Sequence, residues 1–271
     1  MLTVLFFLSV AIFTVLFAFI FNAFELSLIA LFLWVASLLI GVIISILLLF
    51  AFVWTVPKVR RKDPLDMTNH RLGLSLMRLL IRGLRLKVDV SGKEHLPPPE
   101  EPFILISNHQ TVYDILALKV ALSDRPLLFI AKKEIFSWPL VGNMTDLLGN
   151  VPIERESDRS AAKAILEGIK RYKDGAPVSI FPEGHRTSSN EMLPFRAGAF
   201  KLAMKPKAPI IVATLFDFYK TWKGWPFRRN RARIHFHPPI KPSEYEGMTT
   251  QALSDEVRAT ISAQIERFRN T

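Results

Sequence analysis

The first 56 residues contain a single formally charged side chain, Glu25, whereas charges are dense from Lys58 onward. A surface that meets water needs polar groups, so this segment belongs with lipid and the remainder with water. Two apolar runs, Met1 to Phe21 and Leu26 to Val56, are separated by Asn22-Ala23-Phe24-Glu25. A bilayer core takes about 20 apolar residues, so each run is long enough to cross once, with the polar break as a helical turn. A hairpin that enters one leaflet and returns satisfies the same pattern. A cleaved signal peptide fits it poorly, because no Lys or Arg precedes the first run and no small-x-small site follows.

Lys58, Arg60, Arg61 and Lys62 follow the second run at once. Positive charge beside a membrane segment marks the cytoplasmic side, so the rest of the chain is expected there. The formal net charge is +11, and residues 1–57 contribute none of the positive part. Such a balance suits an anionic partner, and beside apolar spans that partner is a membrane surface rather than nucleic acid. There is no cysteine. Disulfides, thiolate catalysis and cysteine metal sites are thereby excluded.

Residues 67–86 read as a two-faced helix, with Arg71, Arg78, Arg82 and Arg85 on one side and Leu72, Leu76, Leu79 and Leu80 on the other. Two readings fit it: a core-packed helix with a solvated basic face, and an interfacial helix lying on anionic lipid. The Pro-rich LPPPEEP at 96–102 is a rigid connector. Beyond it FILIS (103–107), LLFIA (127–131), PVSIF (177–181) and PIIVATL (209–215) have the pattern of buried strands. LKVDV (86–90) and ARIHFH (232–237) alternate as partly exposed strands do. Helices are expected near 111–123, 157–174, 195–205 and 250–269. The alternation predicts an α/β fold: a largely parallel mixed sheet flanked by helices, preceded by an N-terminal hydrophobic helical hairpin. The expected organisation is a membrane hairpin at 1–57, a basic interfacial segment at 58–86 and an α/β domain at 87–271. In such sheets, function gathers where strands end and helices begin.

Two strand ends carry chemistry. SNHQTVYD (107–114) places His109 at the mouth of a helix and Asp114 about one turn in, so the two side chains can meet. Asp114 would then fix the tautomer of His109 and leave its other ring nitrogen as a base. A capping turn uses the same residue types, and alone the pair decides little. VSIFPEGHRT (178–187) is a second strand opening into a turn with Glu183, Gly184 and Arg186. An arginine fork grips phosphate, a glutamate takes hydroxyl hydrogen bonds or orients a neighbour, and a glycine admits close backbone approach.

Together these motifs resemble the 1-acylglycerol-3-phosphate (lysophosphatidate) acyltransferase family over roughly residues 85–240. Asn108-His109 with Asp114 is similar to its His-x4-Asp block. Gly149-Asn150-Val151-Pro152-Ile153-Glu154-Arg155, Phe181-Pro182-Glu183-Gly184-His185-Arg186-Thr187 and Pro209-Ile210-Ile211-Val212-Ala213 resemble the three further blocks, in order. His185 stands where a small hydroxyl residue is usual, and Ala213 where a proline is common. The resemblance implies an enzyme that acylates 1-acyl-sn-glycerol 3-phosphate to phosphatidic acid, from acyl-CoA or an acyl carrier protein thioester. It implies His109, Asp114 and Glu183 as catalytic residues, and Lys132, Arg155 and Arg186 on the acceptor's phosphate. The chemistry agrees. A thioester is already activated, so no protein nucleophile, metal or cofactor is needed, and His109 takes the proton of the attacking hydroxyl. Acylation of another lyso-lipid and a non-catalytic lipid-binding scaffold are the alternatives.

Two remaining signals are weaker. His235-Phe236-His237 has a metal-like spacing without a third ligand, and is expected to be ordinary strand. WKGWPFRRNRAR (222–233) interleaves aromatics with cations, as a plain surface loop or an interfacial one. The dinucleotide, P-loop, zinc-protease and serine-hydrolase signatures are absent from the sequence.

Overall fold

A computed structural model describes residues 2–21, 28–60, 62–154 and 156–270. The expected turn at Asn22 to Glu25, Arg61 and the site candidate Arg155 lie outside the described residues. The two apolar runs form helices α1 (Leu2–Ile20) and α2 (Leu28–Val59). They pack closely because a stripe of small residues, Ser37, Gly41 and Ser45, is buried along α2. A Cβ on Gly41 would lie 2.9 Å from Thr14 Oγ1 and 3.1 Å from the Val10 carbonyl oxygen, so only glycine admits this approach. Ser9 Oγ donates to Ser45 Oγ at 2.9 Å across the same seam.

Helix α2 is long and apolar enough to cross a membrane, whereas the apolar stretch Val4–Ile20 of α1 is shorter. The far end of α2 does not stop at a membrane edge. Leu49, Phe52 and Val53 pack against Met77, Met144, Leu147 and Leu148 of the following domain. The part of α2 before Leu49 is about 31 Å long at 1.5 Å per residue, close to one bilayer core.

Helix α3 (Met67–Gly83) starts where Asp66 accepts the Thr68 N–H. It buries Gly73, Leu74 and Met77 and leaves Arg71, Arg78 and Arg82 exposed; the helix ends at Gly83, short of the expected 86, so the exposed Arg85, at φ 54°, lies beyond it. Part of the basic cluster before it is spent on the domain: Arg60 Nε donates to Asn69 Oδ1 at 2.6 Å, and Lys62 pairs with Asp146.

The domain continues through β1 (Leu86–Ser91), β2 (Ile104–Ser107), α4 (Tyr113–Ala121), β3 (Leu128–Lys132), α5 (Val141–Leu147), β4 (Val151–Ile153), α6 (Asp158–Lys173), β5 (Val178–Ile180), α7 (Lys201–Met204), β6 (Ile210–Phe216), β7 (Asn230–Phe236) and α8 (Thr250–Arg269). The seven strands make one sheet in the order β1-β7-β6-β2-β5-β3-β4. All pairs are parallel except β6 with β7, so β7 and β1 run against the rest. One face packs on α6 and α8 through Ile104, Ile130, Val178, Val212, Val257 and Ile261. The other packs on α4 through Leu105, Phe129, Ile211 and Leu118. Burial on both faces explains why the central strands read as unbroken apolar runs.

Three details differ from the sequence reading. Strand β4 and helix α5 are added. Pro152 sits inside β4, which is tolerated because β4 is the sheet's edge. The helix expected at 195–205 is only a 3₁₀ turn (Ala197–Phe200) running into the four-residue α7, with Pro206 close behind. In agreement with the expectation of ordinary strand, His235 and His237 are held by hydroxyls, Nδ1 of His235 2.9 Å from Ser91 Oγ and Nε2 of His237 2.8 Å from Thr214 Oγ1.

Candidate active site

Parallel pairing carries β2, β5, β3 and β4, adjacent in that order, to one edge of the sheet. Their carboxyl ends bring together His109 beyond β2, Glu183 to Arg186 beyond β5, and Lys132 at the end of β3. Strand β2 ends in a buried polar knot. Asn108 lies beside β6 and exchanges two hydrogen bonds with the backbone of Leu215, at 2.9 and 2.8 Å. Gln110 accepts from the Phe218 N–H at 2.8 Å and donates to Asn190 Oδ1 at 2.8 Å. These two residues clamp His109 between them.

Asp114, the second residue of α4, is fully buried. Its Oδ2 accepts the backbone N–H of Gln110 at 2.6 Å and of Thr111 at 2.9 Å, and it lies 2.8 Å from His109 Nδ1. Its Oδ1 accepts from Thr111 Oγ1 at 3.1 Å. A group surrounded by donors is a carboxylate, so the shared proton sits on His109 Nδ1 and Nε2 carries the free lone pair. The imidazole is further fixed by stacking on Phe181, with ring centroids 3.9 Å apart and planes at 10°. His109 is therefore held in one orientation by Asp114 and Phe181.

Glu183 joins the second strand end to the first. Its Oε1 accepts the His109 backbone N–H at 2.8 Å, and its Oε2 accepts the Leu193 N–H at 2.8 Å. It touches the backbone of His109 rather than the ring, so its geometry is that of a positioning group. The Thr187 N–H closes the same junction by donating to the His109 carbonyl at 3.1 Å. Burial pushes the Glu183 carboxyl up to about 7, against the pull of its two backbone hydrogen bonds.

That shift has a sign that an experiment can read. A folded-state value near 7, above the ordinary 4.5, means that the folded chain holds the proton more tightly. The stability involved is fully present below about 4.5 and is lost as pH rises through about 7, by at most about 3 kcal/mol. Glu183→Gln places an amide against one backbone N–H and should lower the melting temperature at every pH. It should also flatten the fall between pH 5 and pH 8 relative to wild type. Thermal unfolding of both proteins in detergent checks this; parallel curves would contradict it.

Gly184 follows in the left-handed region at φ +72°, and a Cβ there would lie 3.0 Å from Arg196 Nε. Arg186 is exposed on the turn, and Lys132, also exposed, pairs with Glu134 at 3.2 Å. Neither bonds to His109 among the described residues. The structure thus joins His109, Asp114 and Glu183 directly, and places Lys132, Gly184 and Arg186 along the same edge. Phe181, Asn108 and Gln110 complete the support. Asn108 and Gln110 flank His109 in the sequence, but only the fold shows where their amides go. Among the described residues no group of three His, Cys, Asp or Glu is placed to hold a metal ion.

A largely parallel α/β sheet with a histidine anchored by an aspartate at a strand end is an arrangement suited to acid–base chemistry. The comparisons narrow this. The family model described as Acyltransferase matches residues 87–215. Human 1-acyl-sn-glycerol-3-phosphate acyltransferase alpha is 33% identical over 223 residues, covering 79% of this chain and 76% of its own. A 1-acyl-sn-glycerol-3-phosphate acyltransferase of Chlamydomonas reinhardtii is 31% identical over 182 residues, covering 66% of this chain and 54% of its own. The chain spans about half the length of this relative and of the chloroplastic Brassica napus one, where the share is 50%. The crystal structure of the 1-acyl-sn-glycerophosphate acyltransferase PlsC from Thermotoga maritima shares the fold, with TM-score 0.64 and 24% identity, covering 82% of this chain and 88% of that one. The chain belongs to the acyltransferase family, among relatives named 1-acyl-sn-glycerol-3-phosphate acyltransferases.

Proposed function

We propose that the protein transfers an acyl chain from a thioester to the free hydroxyl of 1-acyl-sn-glycerol 3-phosphate, forming phosphatidic acid. One observation carries the reading: His109 Nδ1 lies 2.8 Å from an Asp114 oxygen already saturated by donors, which leaves Nε2 as the base. Nε2 takes the proton from the acceptor hydroxyl as its oxygen attacks the thioester carbonyl. The tetrahedral adduct collapses, the C–S bond breaks, and the imidazolium returns the proton to the leaving thiolate. Acid and base are one residue. Asp114 stabilises the imidazolium between the two steps. Glu183 holds the His109 backbone and ties the Pro182-Glu183-Gly184 turn to it.

We assign acceptor recognition to three cations, Lys132 at the end of β3, Arg186 on the turn after β5, and Arg155, with Gly184 giving close access. Arg186→Ala is expected to raise the acceptor KM about 10- to 150-fold, the range for one charge-assisted contact. Arg186→Lys should remain impaired, because lysine cannot copy a bidentate fork. Steady-state kinetics with each substrate varied in turn checks this. A defect confined to the donor KM would place Arg186 on the thioester carrier instead.

The α1–α2 hairpin holds the domain at the membrane, with Lys58, Arg60, Arg61 and Lys62 on the cytoplasmic side. Donor choice, acyl-CoA or acyl carrier protein, is open to the same assay. The decisive test of the reaction is a panel of lyso-lipids offered with a labelled acyl thioester to the purified full chain. Phosphatidic acid should be the dominant product. Preferential acylation of a lysophospholipid with a larger headgroup would assign another acceptor, and no transfer at all would leave a scaffold.

A further inference from the structure

Residues 222–229, Trp-Lys-Gly-Trp-Pro-Phe-Arg-Arg, are all exposed, between the buried Thr221 and Asn230. Phe227 is 91% exposed, Trp222 54% and Trp225 44%. Water is a poor neighbour for three large rings in one short loop, two of which, Trp222 and Trp225, meet edge-on at 5.3 Å. The buried Asn230 side chain holds its base by donating to the carbonyls of Thr221 and Lys223, each at 3.0 Å. The Arg228 N–H closes it by donating to the Gly224 carbonyl at 2.7 Å. The rings are therefore presented by a built loop.

Its chemistry is one-sided. Lys223, Arg228 and Arg229 make no ion pair among the described residues, and the sequence has no carboxylate from Phe218 to Ser243. Trp225 Nε1 donates to the Gly83 carbonyl at 3.0 Å, which fastens the loop to the end of α3. That helix exposes Arg78 and Arg82 and packs its other face against Leu49, Phe52 and Val53 of α2. Aromatics, basic side chains and an apolar hairpin are thus continuous through α3. The loop also reaches the candidate site: Trp222 meets the Tyr113 ring edge-on at 6.1 Å, one residue before Asp114.

We propose that loop 222–229, with the arginine face of α3, is a second membrane-contact surface that seats the mouth of the His109 site on an anionic bilayer. Tryptophan and phenylalanine belong at the headgroup boundary, and arginine beside them adds attraction to anionic lipid. A nucleic acid would also accept aromatics and arginines, but continuity with the hairpin favours lipid. The surface rests on the proposed function only in what it delivers, a lipid acceptor already held in the bilayer.

The chain lacks cysteine, so Phe227→Cys and Glu100→Cys each give a single thiol for an environment-sensitive fluorophore. Glu100 is exposed beyond the opposite sheet edge, before β2, and serves as the control. Both full-length proteins go into nanodiscs of phosphatidylcholine, with and without phosphatidylglycerol, that carry spin-labelled lipid. The label at 227 should be quenched severalfold more than that at 100, and more strongly with phosphatidylglycerol. A second arm uses the triple variant Phe227→Ala, Arg228→Ala, Arg229→Ala. Its apparent KM for bilayer-borne acceptor should rise roughly tenfold or more, with kcat on a water-dispersed short-chain acceptor within about twofold of wild type. Equal quenching at both positions, or a label at 227 that responds to an RNA oligonucleotide and not to lipid, would overturn the proposal. So would an equal loss of turnover on both acceptors. The quenching arm needs no acyl transfer, so it decides the membrane surface even if the proposed reaction fails.

Discussion

Alanine at His109 is expected to lower kcat by at least 10²- to 10⁴-fold, the range for loss of a general base. The fall should exceed that range if the imidazole also positions the acceptor hydroxyl. Among the described residues no neighbour is placed to take over. Asp114 is buried and occupied by donors, and Glu183 bonds to the His109 backbone, not to its ring position. Folding should survive the change, because the hydrogen bonds that place residue 109 are made by its backbone and by Asn108 and Gln110. The comparison is therefore clean: matched melting temperature and membrane association, with turnover lowered by at least that factor.

Asp114→Asn is the second large effect, and it separates charge from shape. The amide oxygen can take the place of Oδ2 and keep the N–H bonds from Gln110 and Thr111, with its NH₂ turned to the Thr111 hydroxyl. In that pose the fold is kept and only the negative charge facing the imidazolium is lost. In the flipped pose the NH₂ meets three donors and drives His109 to the opposite tautomer, with Nε2 protonated. Either way the base is weakened, and kcat should fall by roughly 10²- to 10⁴-fold, as when a triad aspartate becomes asparagine. A variant with at least half the wild-type kcat would mean that Asp114 is only a cap for α4.

Much of this site was legible because its central pair is local. His109 and Asp114 are separated by one strand-to-helix turn, and spacing alone brings them together. The strands were legible for a related reason: β2, β3, β5 and β6 are buried on both faces, so they read as unbroken apolar runs. What the sequence hid is long-range. Glu183 meets His109 across 74 residues because β2 and β5 pair in parallel, Ile104 opposite Val178. Phe181 lies under the imidazole for the same reason, and nothing in its apolar run distinguishes it from a core residue. Asn108 and Gln110 look like turn residues, yet Leu215 and Phe218, which they bind, lie more than 100 positions on, in β6 and just after it. Strand β4 was hidden by Pro152, and α5, seven residues long, is too short to show a helical period. The end of α2 reads as lipid-facing until the fold sets Val53 against Met77 and Leu148.

In the proposed reaction the acyl chain passes directly from thioester to lysophosphatidate in one complex, with His109 as the base and no acyl-enzyme. The most direct measurement follows thiol release and lipid acylation together, using the purified full chain and a donor labelled in its acyl group. Without acceptor, the chain should carry no label and release no thiol beyond the buffer rate. With 1-acyl-sn-glycerol 3-phosphate, free thiol and labelled phosphatidic acid should appear one for one, and His109→Ala should yield neither. Label bound covalently to the chain, or phosphatidic acid formed by His109→Ala at near the wild-type rate, would contradict the account.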